Sequence, residues 1–283
     1  MGVFNILKML LLSAAEALTE WLPVSNTGHL AVLGHYLGFD HWEANATLRD
    51  IFVAASLLGS VLAACALFLP NNGLFYKTPE GKKMIAGERL RFYVAILLAW
   101  IPCLLLALVF GQQFSDFIYD PESIRNLRMT MVLMILGGVI SIFGEIHNRN
   151  VEPKYTRLEE IPVGFLFLLG LTQIVGFLPG ACRFGLAILV AVAFGVERRA
   201  AVTLSVFMSL PSLFVCGALP ILRNLNKIGG ITASELLTAF VLAFLVSFFA
   251  LRWIISMLSK RSLIRFGQYR VVFGILLYLF VIL

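Results

Sequence analysis

Two glutamates, a proline, a hydroxyl-rich turn and a histidine share one short stretch, "AEALTEWLPVSNTGHLAVLGH" at positions 15–35. On a helix, Glu16 and Glu20 stand on the same face one turn apart. Two ionised carboxylates at that spacing repel unless a cation sits between them, and hard oxygen donors suit Mg²⁺ or Ca²⁺. After Pro23 come Ser25, Asn26 and Thr27, one of which caps the helix that follows. Capping does not account for His29, whose side chain is suited to proton exchange near neutral pH. A second stretch, "FLPGACRFGLAIL" at 177–189, places Arg183 at the start of a short helix just after Pro179 and Gly180. An arginine beside unsatisfied helix N–H groups is suited to clamping phosphate. Two acids, a histidine and an arginine together fit a metal-assisted phosphate site.

The segments that carry these residues are built for lipid. Of the 283 residues, 60% are hydrophobic and 13% charged, and the mean hydropathy is +0.92. A soluble domain is about a quarter charged, so this is a membrane composition. Apolar runs of bilayer length fall at 3–22, 50–70, 92–111, 129–145, 161–178, 201–222, 235–257 and 266–283. Two shorter ones, 27–39 and 183–195, follow directly on Pro23 and Pro179 and are too brief to cross. No polar segment is long enough for a separate soluble unit, so residues 1–283 are expected to form one all-α polytopic integral-membrane domain.

A weak internal repeat organises it. At one offset "WLP" (21–23) falls on "FLP" (177–179) and "LAVL" (30–33) on "LAIL" (186–189). Each copy is an apolar helix, a proline break, a polar turn and a short helix. The expectation is two re-entrant helical hairpins, about 3–39 and 161–195, plus six transmembrane helices in an inverted repeat. The basic connections at 71–91, 146–160, 198–199 and 260–265 are expected to be cytoplasmic, and the acidic ones at 40–49 and 113–128 external. The first hairpin then enters from outside and the second from the cytoplasm, with the site where they meet. The net charge of +6 sits in these short loops and does not indicate nucleic acid. His35 and His41 are assigned no role.

At these residues the sequence resembles the bacterial undecaprenyl-diphosphate phosphatase family, the bacitracin-resistance proteins. The family's E-x-x-x-E and P-V-S-S-T-G-H motif appears as Glu16, Glu20 and "PVSNTGH"; its P-G-x-S-R-S-x-x-T motif appears as "PGACRFGLA". Weaker likeness extends to "LLGSVLA" at 57–63, "ERRAAVTLS" at 197–205 and "RFGQYR" at 265–270. The resemblance implies removal of one phosphate from a polyprenyl diphosphate at the outer face of the bacterial inner membrane, recycling the cell-wall carrier lipid and giving bacitracin resistance. It implies Glu16, Glu20, Ser25, Thr27, His29 and Arg183 as the catalytic set. Asn26, Gly28, Pro179, Gly180 and Arg183 would contact substrate, and Glu16 and Glu20 would hold a divalent cation. The chain departs from the pattern in turn. Asn26 stands where the family has a serine proposed as nucleophile; Cys182, Phe184 and Ala187 replace further hydroxyls, and Val53 and Leu57 replace polar residues. An amide cannot attack phosphorus, which leaves Ser25, Thr27, His29 or a water.

The rival reading is a carrier-lipid flippase or binding protein with the same head-group site and no chemistry. Another lipid phosphatase superfamily needs a histidine beyond its arginine, and the last histidine here is His147. Cys65, Cys103, Cys182 and Cys216 are scattered, without the spacing of a disulfide framework or a zinc site. The expected partners are a polyprenyl diphosphate and the bilayer; a homodimer is the one assembly left open.

Overall fold

The computed structural model describes residues 3–37, 46–72, 75–77, 83–85, 87–118, 124–224 and 233–282. Each apolar run of the sequence becomes a helix: α1 Val3–Trp21, α2 Asn26–Leu37, α3 Ala46–Asn72, α4 Gly87–Ile118 and α5 Ile124–His147 in the first half. The second half repeats that order with α6 Val163–Thr172, α7 Arg183–Ala193, α8 Arg198–Arg223, α9 Ala233–Leu258 and α10 Ile264–Ile282. Outside the helices, strands β1 (Phe75–Lys77) and β2 (Lys83–Ile85) pair antiparallel between α3 and α4. Among the described residues five helices, α3, α4, α5, α8 and α9, carry segments long and apolar enough to cross a bilayer. The sixth expected span, 266–283, is α10 and lies along α5. The fold is that of an all-α polytopic membrane protein. Residues 40–45 and 119–123 of the connections expected to be acidic, His41 among them, lie outside the described residues.

Outward-facing side chains explain why such a chain needs lipid. Leu97, Leu105 and Val109 on α4, Phe143 on α5, and Phe249 and Trp253 on α9 are all more than half exposed. A continuous apolar surface of this extent is unfavourable in water and neutral against lipid tails. The buried core instead joins the hairpin residues Trp21, Phe184 and Ile188 to Leu166 and Leu169 of α6, Leu204 and Met208 of α8, and Leu251 of α9.

The two helix pairs are true hairpins, and they start at opposite ends of the molecule. α2 doubles back along α1, so that Leu30 packs on Leu12. The start of α1 meets the starts of α3 and α9 through Met9, Phe52 and Ala239. α6 begins at the other end, where Arg89 at the start of α4 pairs with Glu159 at 3.3 Å. α7 returns to that same end: the Lys154 and Tyr155 N–H groups both donate to the Gly195 carbonyl, and Phe165 stacks on Phe194. The basic connections gather there too. Arg198 grips the buried Glu145 with bonds of 2.9 and 2.6 Å and also donates to the Arg261 carbonyl.

Candidate functional site

Both hairpin turns are built by the same local device. A proline disfavours continuation of the helix before it, since it has no backbone N–H to donate and its ring crowds the preceding turn. After Pro23 the chain takes a positive φ of 75° at Ser25, whose hydroxyl then accepts the Gly28 N–H and caps α2. After Pro179 the positive φ, 89°, falls on Gly180, where it costs least, and the Cys182 sulfur accepts the Gly185 N–H to cap α7. The tips touch. A Cβ on Gly28 would lie 3.4 Å from the Gly180 Cα, and one on Gly185 3.0 Å from the Pro23 Cβ. Trp21 meets Phe184 edge-on at 6.3 Å.

This contact carries Arg183 across to Glu20. Its Nη2 donates to Glu20 Oε1 at 2.5 Å, while its Nη1 donates to the Ser212 hydroxyl at 3.0 Å. The Ser212 hydroxyl donates to the Ser209 carbonyl, so its lone pairs are left for the guanidinium. The other Glu20 oxygen accepts from the Asn26 amide, and the Asn26 carbonyl oxygen faces the Thr19 hydroxyl at 3.3 Å. Glu20 is therefore held by one residue from each hairpin turn, in a place where its side chain is 5% exposed. Glu16, one turn earlier, is 1% exposed, and among the described residues neither of its oxygens has a hydrogen-bond partner. A buried carboxyl with no donor is costly unless a proton, a cation or a ligand completes it.

Above these groups opens a cavity of about 230 Å³. Glu16, Glu20, Asn26, Thr27 and Arg183 line its inner end; Asp50, Arg223 and Asn224 line the end of α8 away from the basic loops. Between them the wall is apolar and includes Val53 and Leu57, the two positions where the sequence departs from the family's polar residues. A divalent cation of the Mg²⁺ or Ca²⁺ type would take its hard oxygen ligands here from Glu16 and Glu20. Among the described residues no three His, Cys, Asp or Glu side chains cluster to hold one alone. An ion here would complete its shell with water and phosphate oxygens, the common habit of Mg²⁺.

The remaining expected site residues do not reach this cavity. His29 points the other way, to α10. Its Nδ1 bonds the Ser25 carbonyl at 2.7 Å, which accepts only, so that nitrogen carries the proton and Nε2 accepts the Tyr269 hydroxyl at 2.7 Å. Its ring also stacks on Phe273 at 4.7 Å. The reason is rotational: Asn26, Thr27 and Leu30 occupy the cavity face of α2, and His29 falls on another. Ser25 is fully buried as the cap, and Gly28 is wedged against Met134. Pro179 is buried, and Gly180 has its carbonyl taken by Arg270 at 2.9 Å. These four build the crossing of the hairpins and do not face its cavity.

Three residues that the sequence reasoning passed over hold the site. Ser212 anchors Arg183. Arg270, 3% exposed, ties the second hairpin tip to the α5 carbonyl of Leu133. Arg223 lines the outer end of the cavity. Arg270 had a signal, since an ionisable residue inside an apolar run is functional by default; Ser212 and Arg223 had none.

A family model described as Bacitracin resistance protein BacA matches residues 9–276. The chain is 29% identical over 274 residues to a protein of Lachnoclostridium phytofermentans named undecaprenyl-diphosphatase, covering 97% of this chain and 96% of that one. Proteins of the same name from Streptococcus mutans (28%; 97% and 95% covered) and Enterococcus faecalis (29%; 96% and 96%) are similarly related.

Proposed function

Because the chain belongs to the bacitracin resistance protein BacA family, we propose that it hydrolyses undecaprenyl diphosphate to the monophosphate and inorganic phosphate. The observation that carries this reading is the Glu20–Arg183 pair. It joins the two hairpins in the lining of a cavity, beside a carboxylate that has no hydrogen-bond partner among the described residues. The diphosphate head would enter that end while the isoprenoid lies along the apolar wall. Arg183 N–H groups would bind equatorial oxygens as negative charge spreads over them in transfer. A water beside Thr27, the turn hydroxyl that faces the cavity, would attack the terminal phosphorus. As the new P–O bond forms, the bond to the bridging oxygen breaks, and that oxygen leaves on the lipid monophosphate. Glu16, whose oxygens accept no hydrogen bond among the described residues, would take the water's proton. Glu16 and Glu20 are the side chains that would hold a divalent ion, which when bound neutralises the diphosphate. Asn26 keeps Glu20 oriented, and His29 fixes α2 against α10.

The cavity end near Arg223 would face the outer side of the bacterial inner membrane, since the basic connections gather at the opposite end and basic loops stay cytoplasmic. The exposed apolar faces of α4, α5 and α9 would meet lipid, or a second copy in a homodimer. A flippase without chemistry is not favoured, because the relatives bear the name of a diphosphatase. The test is in cells depleted of their own undecaprenyl-diphosphate phosphatases. Expression should restore growth and raise bacitracin resistance; Arg183→Ala should do neither. Equal rescue by the variant would refute the reading.

A further inference from the structure

Among the described residues that line the cavity, two are cations, and they sit at its two ends. Arg183, at the inner end, has Nη1 and Nη2 already committed to Ser212 and Glu20. Arg223, at the outer end, is exposed, and a single bond from its Nη2 to the Leu108 carbonyl at 3.3 Å steadies it across the gap between α8 and α4. Asn224 beside it offers a polar neighbour, its own amide bonded to the Pro220 carbonyl.

The spacing decides what Arg223 can do. Ser212, which holds Arg183, and Arg223 lie eleven residues apart on α8, which is about 16 Å of helix axis at 1.5 Å per residue. The two guanidiniums are thus held from levels of α8 about three turns apart. Arg223 is not needed to neutralise the inner end, where Arg183 already faces Glu20. What remains is an exposed cation at the outer end of the cavity, where the lining also includes Asp50. Without it an anion entering at that end would meet the carboxylates of Asp50 and Glu16 before the described lining offers the cation Arg183.

We propose that Arg223 and Asn224 form a phosphate way-station at the mouth of the cavity, occupied before or after the inner site. The ligand is a phosphate anion, either the head of the arriving lipid or the inorganic phosphate that departs. The proposal rests on the hydrolytic reading only for its catalytic arm. Because the contact is by charge at an exposed position, a lysine suffices there, unlike at Arg183 where a planar fork spans two partners.

The full-length protein in nanodiscs separates these statements. Arg223→Gln should raise KM for a polyprenyl diphosphate, or weaken inhibition by inorganic phosphate, about tenfold at low salt, with a far smaller change in kcat. Arg223→Lys should restore the native values, and the difference between Gln and Lys should shrink as salt screens the charge. A shift confined to KM assigns the station to the arriving head group, and one confined to phosphate inhibition assigns it to the departing anion. Native KM and native phosphate inhibition in Arg223→Gln, or no rescue by lysine, overturns the proposal. If the native protein proves not to release phosphate at all, equilibrium dialysis with inorganic phosphate still decides. Weaker binding in Arg223→Gln upholds the station, and equal binding removes it.

Discussion

Replacing Arg183 by alanine leaves the Glu20 carboxylate in the crossing of the hairpins with its cation gone. The pair is buried on both sides, 15% exposed at Arg183 and 5% at Glu20, so solvent does little to relieve the orphaned charge. Removing one partner of a buried ion pair costs about 3–5 kcal/mol, and the Ser212 bond lost with it adds about 1 kcal/mol. Glu20→Gln in the Arg183→Ala background removes the stranded charge. The amide remains able to face Asn26, so most of the ion-pair loss should return. The single Arg183→Ala variant should therefore melt well below the native protein in detergent, and the double variant close to it. Activity should behave differently. Loss of one charge-stabilising donor costs about 10²–10³ in rate, and Glu20→Gln cannot restore it. Arg183→Lys keeps the charge yet cannot reach Glu20 and Ser212 with a planar fork, so it should recover stability more than rate. Melting curves and phosphate release on the four proteins measure both quantities. A single variant as stable as the native protein, or a double variant as unstable as the single, would refute the buried-pair account.

Three further outcomes follow from the geometry. His29→Ala should lower stability by about 1 kcal/mol through the lost Tyr269 bond and ring contacts, with less than about a tenfold effect on turnover; complete inactivation of a folded variant would return His29 to the chemistry. Asn26→Ser should slow phosphate release, because a serine cannot span to Glu20, whose second oxygen loses its amide partner; a faster variant would instead make a hydroxyl at 26 the attacking group. In a protein stripped of its four cysteines, a cysteine at 154 should resist an impermeant thiol reagent in intact cells while one at 116 reacts; labelling at 154 would invert the orientation proposed.

The hairpins were legible because proline breaks and short apolar runs leave few folds open in lipid, and Pro23 and Pro179 mark both turns. Where Arg183 would close was less legible: its place after Pro179 and Gly180 pointed to a phosphate, and the fold sets it on Glu20. The rotation of α2 was not legible. It depends on the positive φ at Ser25, a conformation that a serine rarely adopts and that no pattern in "PVSNTGH" announces. That one torsion turns Asn26 and Thr27 to the cavity and His29 to Tyr269. Ser212 was hidden for another reason. A serine in a spanning helix usually bonds its own backbone, as Ser205 and Ser209 do here, and only the tertiary fold shows that Ser212 also faces a guanidinium.

Phosphate release by the purified, full-length protein from a long-chain polyprenyl diphosphate tests the central claim most directly, run with Mg²⁺ or Ca²⁺ and with chelator, on the native protein and on Arg183→Ala and Glu20→Gln. Release by the native protein should depend on the divalent ion and fall at least about a hundredfold in Arg183→Ala, with one phosphate released per lipid. No release by the native protein under any of these conditions, or full release by both variants, would contradict the claim.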